Sequence, residues 1–223
     1  NLHFKTYSLI RGIMNKIFII AEVGVNHNAD LNLAYRLIDE ASKSGVDAVK
    51  FQTAIPELLV TSYAQKAAYQ NKTTDIGESQ LEMIRKLIFP LEIYKKLKKY
   101  CEEKEIIFFS TAFDLVSLDF LEKLGQEYHK IPSGEITNLP YLRQIGQYSK
   151  PVFLSTGMST MTEIKRAIEV LEKAGTMLNN ITILHCTTEY PTPMDEVNLK
   201  AMQTIKKTFD VTVGYSDHTI GTQ

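Results

Sequence analysis

Short apolar runs alternate with helix-patterned stretches along most of this chain, and that alternation constrains the fold more than any other feature. Seven runs, at 17–24, 47–53, 106–113, 128–133, 151–156, 181–186 and 211–216, are rich in Ile, Val, Phe and Leu. Between the first two, Leu33, Leu37, Ile38 and Ala41 recur at helical spacing across 30–45 and Gly45 stops the pattern. Further helices are predicted at 91–104, opened by Pro90, at 115–124, closed by Gly125, and at 139–148, 160–174 and 199–209. Thr160 followed by Glu163 is a capping-box signature. Strict strand–helix order, with strands apolar on both faces, predicts a parallel sheet covered by helices. The stretch 54–75 is a long connection with weak periodicity, and insertions of that length usually cover or serve a site.

Each run ends in a polar cluster. The ends read Ala-Glu-Val-Gly-Val-Asn-His-Asn from Ala21, Val-Lys-Phe-Gln-Thr from Val49, Ser-Thr-Ala-Phe from Ser110 and Lys-Ile-Pro-Ser-Gly-Glu from Lys130. Three more are Ser-Thr-Gly-Met from Ser155, His-Cys-Thr-Thr-Glu-Tyr-Pro-Thr-Pro from His185 and Gly-Tyr-Ser-Asp-His-Thr from Gly214. Polar ends on every strand suit a barrel, whose C-terminal rim gathers a site from several strands, better than an open sheet with one switch point. No glycine-rich dinucleotide fingerprint follows the first strand. The expected fold is therefore α/β, a (β/α)8 TIM-type barrel that lacks its eighth βα unit, in one domain over 17–223. Its first and seventh strands would present open edges. Residues 1–16 are open to two readings: an extension upstream of a native start at Met14, or a hairpin over 2–10 that caps the barrel floor.

With 25 Lys and Arg against 26 Asp and Glu, the net charge of −1 supplies no field for nucleic acid. No run approaches a membrane span, and Glu22 interrupts the first. Two cysteines without CxxC spacing point to a reducing cytoplasm.

Lys50 and Lys130 lie inside predicted strands. A buried ammonium needs an anionic partner or a lowered pKa, so each is either ion-paired with a strand-end carboxylate such as Glu22 or Glu135, or part of an anion receptor. Thr111, Ser133, Ser155 and Ser216 on neighbouring strand ends would add hydroxyl donors to a phosphate and carboxylate pocket. Glu22 and Glu135 could act as general acid or base, or simply neutralise the lysines. His218 could ligate a metal with Asp217 nearby, although one loop histidine is not a metal site. Tyr190, stiffened by Pro191 and Pro193, could line a pocket or pack on the rim. Cys186 reads as a small buried residue.

In six of these seven ordered motifs, all but Ser-Thr-Ala-Phe, the chain resembles the sialic acid synthase family, N-acetylneuraminate synthase and the related legionaminic and pseudaminic acid synthases, from about Ile17 onward. The resemblance implies condensation of phosphoenolpyruvate with N-acetylmannosamine or a related 2-acetamido sugar, using Mn²⁺ or Mg²⁺. By that resemblance Lys50, Thr111, Lys130, Ser133, Ser155, Thr188 and Ser216 hold phosphoenolpyruvate, though some relatives have asparagine in place of Thr188. Gln52 and Tyr190, with Glu22 and Glu135, surround the sugar, and His218 is one metal ligand. The family also implies a homodimer of the full-length protein, an eighth strand with a second metal-binding histidine, and a small antifreeze-like domain. Neither of the last two is within these 223 residues, so the chain alone is expected to be inactive or severely impaired. Two other readings stand: a Schiff-base aldolase using Lys130 or Lys50, and a non-catalytic phosphosugar-binding barrel fragment.

Overall fold

A computed structural model describes residues 17–66 and 77–221; the predicted hairpin over 2–10 and part of the 54–75 connection lie outside them. All seven predicted strands form: β1 (Ile20–Gly24), β2 (Ala48–Thr53), β3 (Ile107–Ala112), β4 (His129–Ile131), β5 (Val152–Ser155), β6 (Ile181–His185) and β7 (Thr212–Tyr215). The helices are α1 (Leu31–Lys43), α2 (Pro56–Leu59), α3 (Gln80–Leu87), α4 (Leu91–Glu103), α5 (Leu115–Lys123), α6 (Leu139–Gln147), α7 (Met161–Ala174) and α8 (Lys200–Phe209). Strands are shorter than their apolar runs because the polar ends leave the ladder. β4 stops at Ile131, and Pro132 leads into a 3-10 turn over Ser133–Glu135.

Local chemistry accounts for the helix starts. Asp30 accepts the Asn32 and Leu33 N–H groups to begin α1, and the Thr160–Glu163 capping box opens α7 as its sequence signature predicts. Along α7, Ile164, Ala167, Ile168 and Leu171 form the buried stripe. On α1 that stripe centres on Ala34, Ile38 and Ala41, with Leu33 and Leu37 only half-buried at its sides. Helix α3 has no counterpart among the sequence expectations, although Ser79 and Glu82 supply a complete capping box.

Every strand pair is parallel, but the ladder falls into two sheets, β1-β2-β3 and β4-β5-β6-β7. At the break, the Ser110 N–H at the β3 edge donates to the Gln126 side chain at 3.1 Å. The amide replaces a strand neighbour. The two sheets nevertheless meet through rings: Phe109 of β3 lies 5.9 Å from Tyr128, before β4, and 5.9 Å from Phe153 of β5. Phe18, just ahead of β1, reaches the same two rings at 5.4 and 5.9 Å. Behind the strands, one core gathers Val23, Ile38, Phe51 and Leu97, another Ile131, Leu142, Leu154 and Ile183, and Phe120 and Leu124 at α5 pack against both. Each full burial of this kind contributes about 1.5–3 kcal/mol.

Two buried tyrosines hold strand ends in place. Tyr94 of α4 donates to the Gln52 carbonyl at 2.6 Å, and Tyr141 of α6 donates to the Ala112 carbonyl at 2.7 Å. Among the described residues β1 pairs only with β2 and β7 only with β6, and no helix is long and apolar enough to cross a membrane.

Candidate active site

Register brings the first charges together. Glu22 of β1 is the ladder partner of Lys50 of β2, so both side chains leave the same face. The Lys50 ammonium pairs with the Glu22 carboxylate and donates to Thr111 Oγ1 at 3.1 Å. Gly24 closes β1 with φ +55°, and a Cβ there would lie 3.0 Å from Glu22 Oε1 and 3.5 Å from Gln52 Nε2. A glycine is needed both for that backbone angle and for the space the two side chains occupy. The ion-pair reading of the sequence thus holds for Lys50.

It does not hold for Lys130. Among the described residues no carboxylate comes within ion-pair distance; the amine instead donates to Ser155 Oγ at 2.6 Å and to the Ile131 carbonyl at 3.0 Å. Its pKa is pushed down to about 7, first by loss of water and then by Lys50, against weaker upward pulls from Cys186 and Glu22. Glu135 does not serve as the partner proposed from the sequence. The 3-10 turn after Pro132 turns its carboxylate onto Asn138 Nδ2, at 2.6 Å.

The ends of β4, β5 and β6 meet around Gly157. Its N–H donates to Ser133 Oγ at 2.9 Å, and Ser133 Oγ lies 3.4 Å from Cys186 Sγ. A Cβ on Gly157 would sit 2.5 Å from Thr188 Cγ2, closer than real contacts allow, and a tight 3.0 Å from Ser133 Oγ. Sequence reasoning passed over Gly157 and left Cys186 without a role. The signal for Cys186 was strand alternation, which turns it inward once His185 faces out.

At the end of β7, His218 Nδ1 lies 2.5 Å from the Thr187 carbonyl. A carbonyl only accepts, so Nδ1 carries a proton, and in the neutral ring Nε2, 3.4 Å from Ser216 Oγ, is the nitrogen with the lone pair. The Tyr190 ring packs on His218 with centroids 4.2 Å apart. Asp217 is spent within its own loop on Tyr215 and Thr219. His218 therefore offers one metal-ligand nitrogen, and among the described residues no group of three His, Cys, Asp or Glu could hold an ion.

The other histidines of the described chain have contacts of their own. Buried His27 accepts the Ala29 N–H on Nδ1 at 3.1 Å and stacks on Phe89. His129 lies between Gln126 and Glu122, and His185 donates to the Val197 carbonyl at 2.8 Å. Burial pushes His27 and His129 each down to about 4. A groove of about 450 Å³ between α6 and α7 is lined by Arg143, Arg166 and Lys173 and touches none of the strand-end residues.

Residues 37–223 match the model of the NeuB family. The N,N'-diacetyllegionaminic acid synthase of Campylobacter jejuni is 54% identical over 208 residues, which cover 93% of this chain and 62% of that protein. The corresponding synthase of Legionella pneumophila is 44% identical over 213 residues, 95% of this chain and 60% of that protein. The crystal structure of N-acetylneuraminic acid synthetase from Leptospira borgpetersenii, in complex with citrate, matches with a TM-score of 0.80 at 34% identity, over 93% of this chain and 67% of that one. The chain thus spans about three fifths of the length of these curated relatives. With most of its length matched by one family model, the chain belongs to the NeuB family.

Proposed function

We propose that this chain is the greater part of a (β/α)8 barrel that condenses phosphoenolpyruvate with a 2-acetamido sugar, giving a nine-carbon sugar acid and phosphate. The observation that carries this is the convergence of two buried lysines, Lys50 and Lys130, with Thr111, Ser133 and Ser155 on successive strand ends. Such a pocket fits one phosphate and one carboxylate. Ring contacts between the two sheets support the barrel. The 54% identity to a diacetyllegionaminic acid synthase favours a 2,4-diacetamido acceptor over N-acetylmannosamine.

In this reading Lys50, Lys130, Thr111, Ser133, Ser155, Thr188 and Ser216 hold phosphoenolpyruvate, and Gln52 and Tyr190 face the sugar. The enol carbon attacks the open-chain aldehyde, water adds to the cationic centre that results, and phosphate leaves with cleavage of its C–O bond. Positive charge in place on the lysines once phosphoenolpyruvate is bound, before the chemical step, costs no reorganisation as the phosphate develops charge. We assign the water's proton to Glu22, which lies against Lys50, over Glu135, which is held by Asn138. Mn²⁺ or Mg²⁺ belongs to the proposal with His218 Nε2 as one ligand. The described residues do not complete its site. A homodimer and a cytoplasmic setting go with the reading, and both cysteines, Cys101 and Cys186, are free and buried.

The test uses phosphoenolpyruvate labelled with ¹⁸O at the bridging oxygen, with N-acetylmannosamine and 2,4-diacetamido hexoses as acceptors and the chain extended to the length of its relatives. Label in the released phosphate is expected; label retained in the sugar acid, or no release with any acceptor, overturns the proposal. The lowered pKa of Lys130 favours one second reading, a Schiff-base aldolase. Borohydride trapping of a pyruvate adduct on Lys130 would establish it.

A further inference from the structure

We infer that the empty pocket rests with Lys130 as a neutral amine and takes up one proton from solvent when its anion binds. The inference rests on the anion pocket proposed above and adds to it a protonation change that the substrate itself drives.

Two geometric facts carry it. The first is a charge count: among the described residues two lysines, each only 8% exposed, share one carboxylate, that of Glu22, which is committed to Lys50. The charged or titratable groups that act on Lys130 are Lys50 from β2, Glu22 from β1 and Cys186 beyond β6; β5 presents the uncharged hydroxyl of Ser155. With both amines protonated the pocket would hold an uncompensated charge away from water, which proteins avoid by shifting ionisation. The second is a donor count. A neutral amine has two N–H donors and an ammonium three. Lys130 has two acceptors among the described residues, Ser155 Oγ and the Ile131 carbonyl. A ligand oxygen would be the third. The pKa of about 7 agrees with both counts.

The event balances simply: Lys130–NH₂, one proton from solvent and the trianion of phosphoenolpyruvate give Lys130–NH₃⁺ in contact with the trianion, with no bond made to carbon or phosphorus. An empty pocket avoids two adjacent ammonium groups, and a full one gains the second charge where it is used.

The experiment is calorimetric titration of phosphoenolpyruvate into the protein at pH 8, in buffers of different ionisation enthalpy. At that pH a phosphate monoester, with a second pKa of about 6, brings no proton of its own. Uptake of about 0.9 proton per site is expected at pH 8 and about 0.5 at pH 7, and affinity should weaken about tenfold from pH 8 to pH 9. Lys130→Arg should bind without uptake, since a guanidinium does not titrate there. Cys186→Ala should keep the uptake, which excludes the neighbouring thiol as its source. Binding by the unmodified protein with no uptake at pH 8, or uptake lost in Cys186→Ala, overturns the inference and leaves the anion pocket standing. Absence of binding, checked by equilibrium dialysis with labelled phosphoenolpyruvate, overturns the pocket and this inference together.

Discussion

Lys50 and Lys130 share a residue type, a position inside a strand and a burial of 92%, yet the two sides of the pocket treat them differently. On the β1–β3 side, ladder register sets Glu22 beside Lys50 and Thr111 within reach of it. On the β4–β5 side, the ladder partner of Lys130 is Phe153, and toward β3 the backbone ladder is broken by the Gln126 side chain. Strand periodicity turns both lysines inward; the neighbouring strand then decides whether the charge is answered. Among the described residues one lysine is answered by a carboxylate and the other only by uncharged oxygens.

Several measurements would break or sharpen this contrast. The largest effect expected is on anion binding: Lys130→Met should weaken phosphoenolpyruvate binding about a thousandfold, ~4 kcal/mol, as measured by dialysis. Loss of less than tenfold would remove Lys130 from the pocket. On the outer face of β4, His129 alternates with Lys130 and is held neutral, with its pKa lowered from 6.5 to about 4. The unfolded chain therefore binds the proton first, so stability present above pH 6.5 is lost as pH falls toward 4, by up to ~3 kcal/mol for this residue. His129→Gln should flatten that part of a urea-unfolding series, and an unchanged acid slope would contradict the assignment.

The same linkage has an alkaline counterpart. Lys130 titrates near 7 in the folded protein and near 10.4 unfolded, so the unfolded chain binds more protons between those values. Its contribution to stability should rise with pH from 7 to 9, by at most about 1.4 kcal/mol per unit. Lys130→Met should abolish the rise, and Lys50→Met, which removes the second cause of the lowered pKa, should shrink it. Gly157→Ala, which drives a methyl group toward Thr188 and Ser133, should weaken anion binding about tenfold and cost about 1–2 kcal/mol in thermal unfolding. The smallest effect is also the sharpest discriminator. At pH 7, Lys50→Met should lose about 1 kcal/mol, because Glu22 is half-exposed and loses its partner. Lys130→Met should be neutral or gain about 1 kcal/mol, because an apolar side chain replaces an amine that has no carboxylate in ion-pair contact among the described residues. Equal destabilisation of the two would erase the contrast.

Much of this was legible before any coordinates. Seven apolar runs became seven parallel strands, the Thr160–Glu163 signature became a capping box, and the polar clusters stand at the strand ends in the order written. Helix α3 was legible but passed over, since Ser79 and Glu82 carry the same signature in a stretch whose apolar pattern is short. The direction of Glu135 was not legible, because it depends on a 3-10 turn after Pro132 that the apolar run gave no reason to place. Nor was the value of Gly157, which follows from how closely Thr188, Ser133 and Cys186 approach from separate strands.

The amino-acid sequence by itself determined which residues form strands and helices, which side chains share a face, and the order of polar clusters along the strand ends, since each depends on periodicities and caps within a few residues. Tertiary structure alone decided the partners: Glu22 for Lys50, hydroxyl and carbonyl oxygens for Lys130, and a backbone carbonyl that frees one nitrogen of His218. Partnership follows from register and from packing between strands distant in the chain, and the charge state of a buried amine depends on everything within a few ångströms of it.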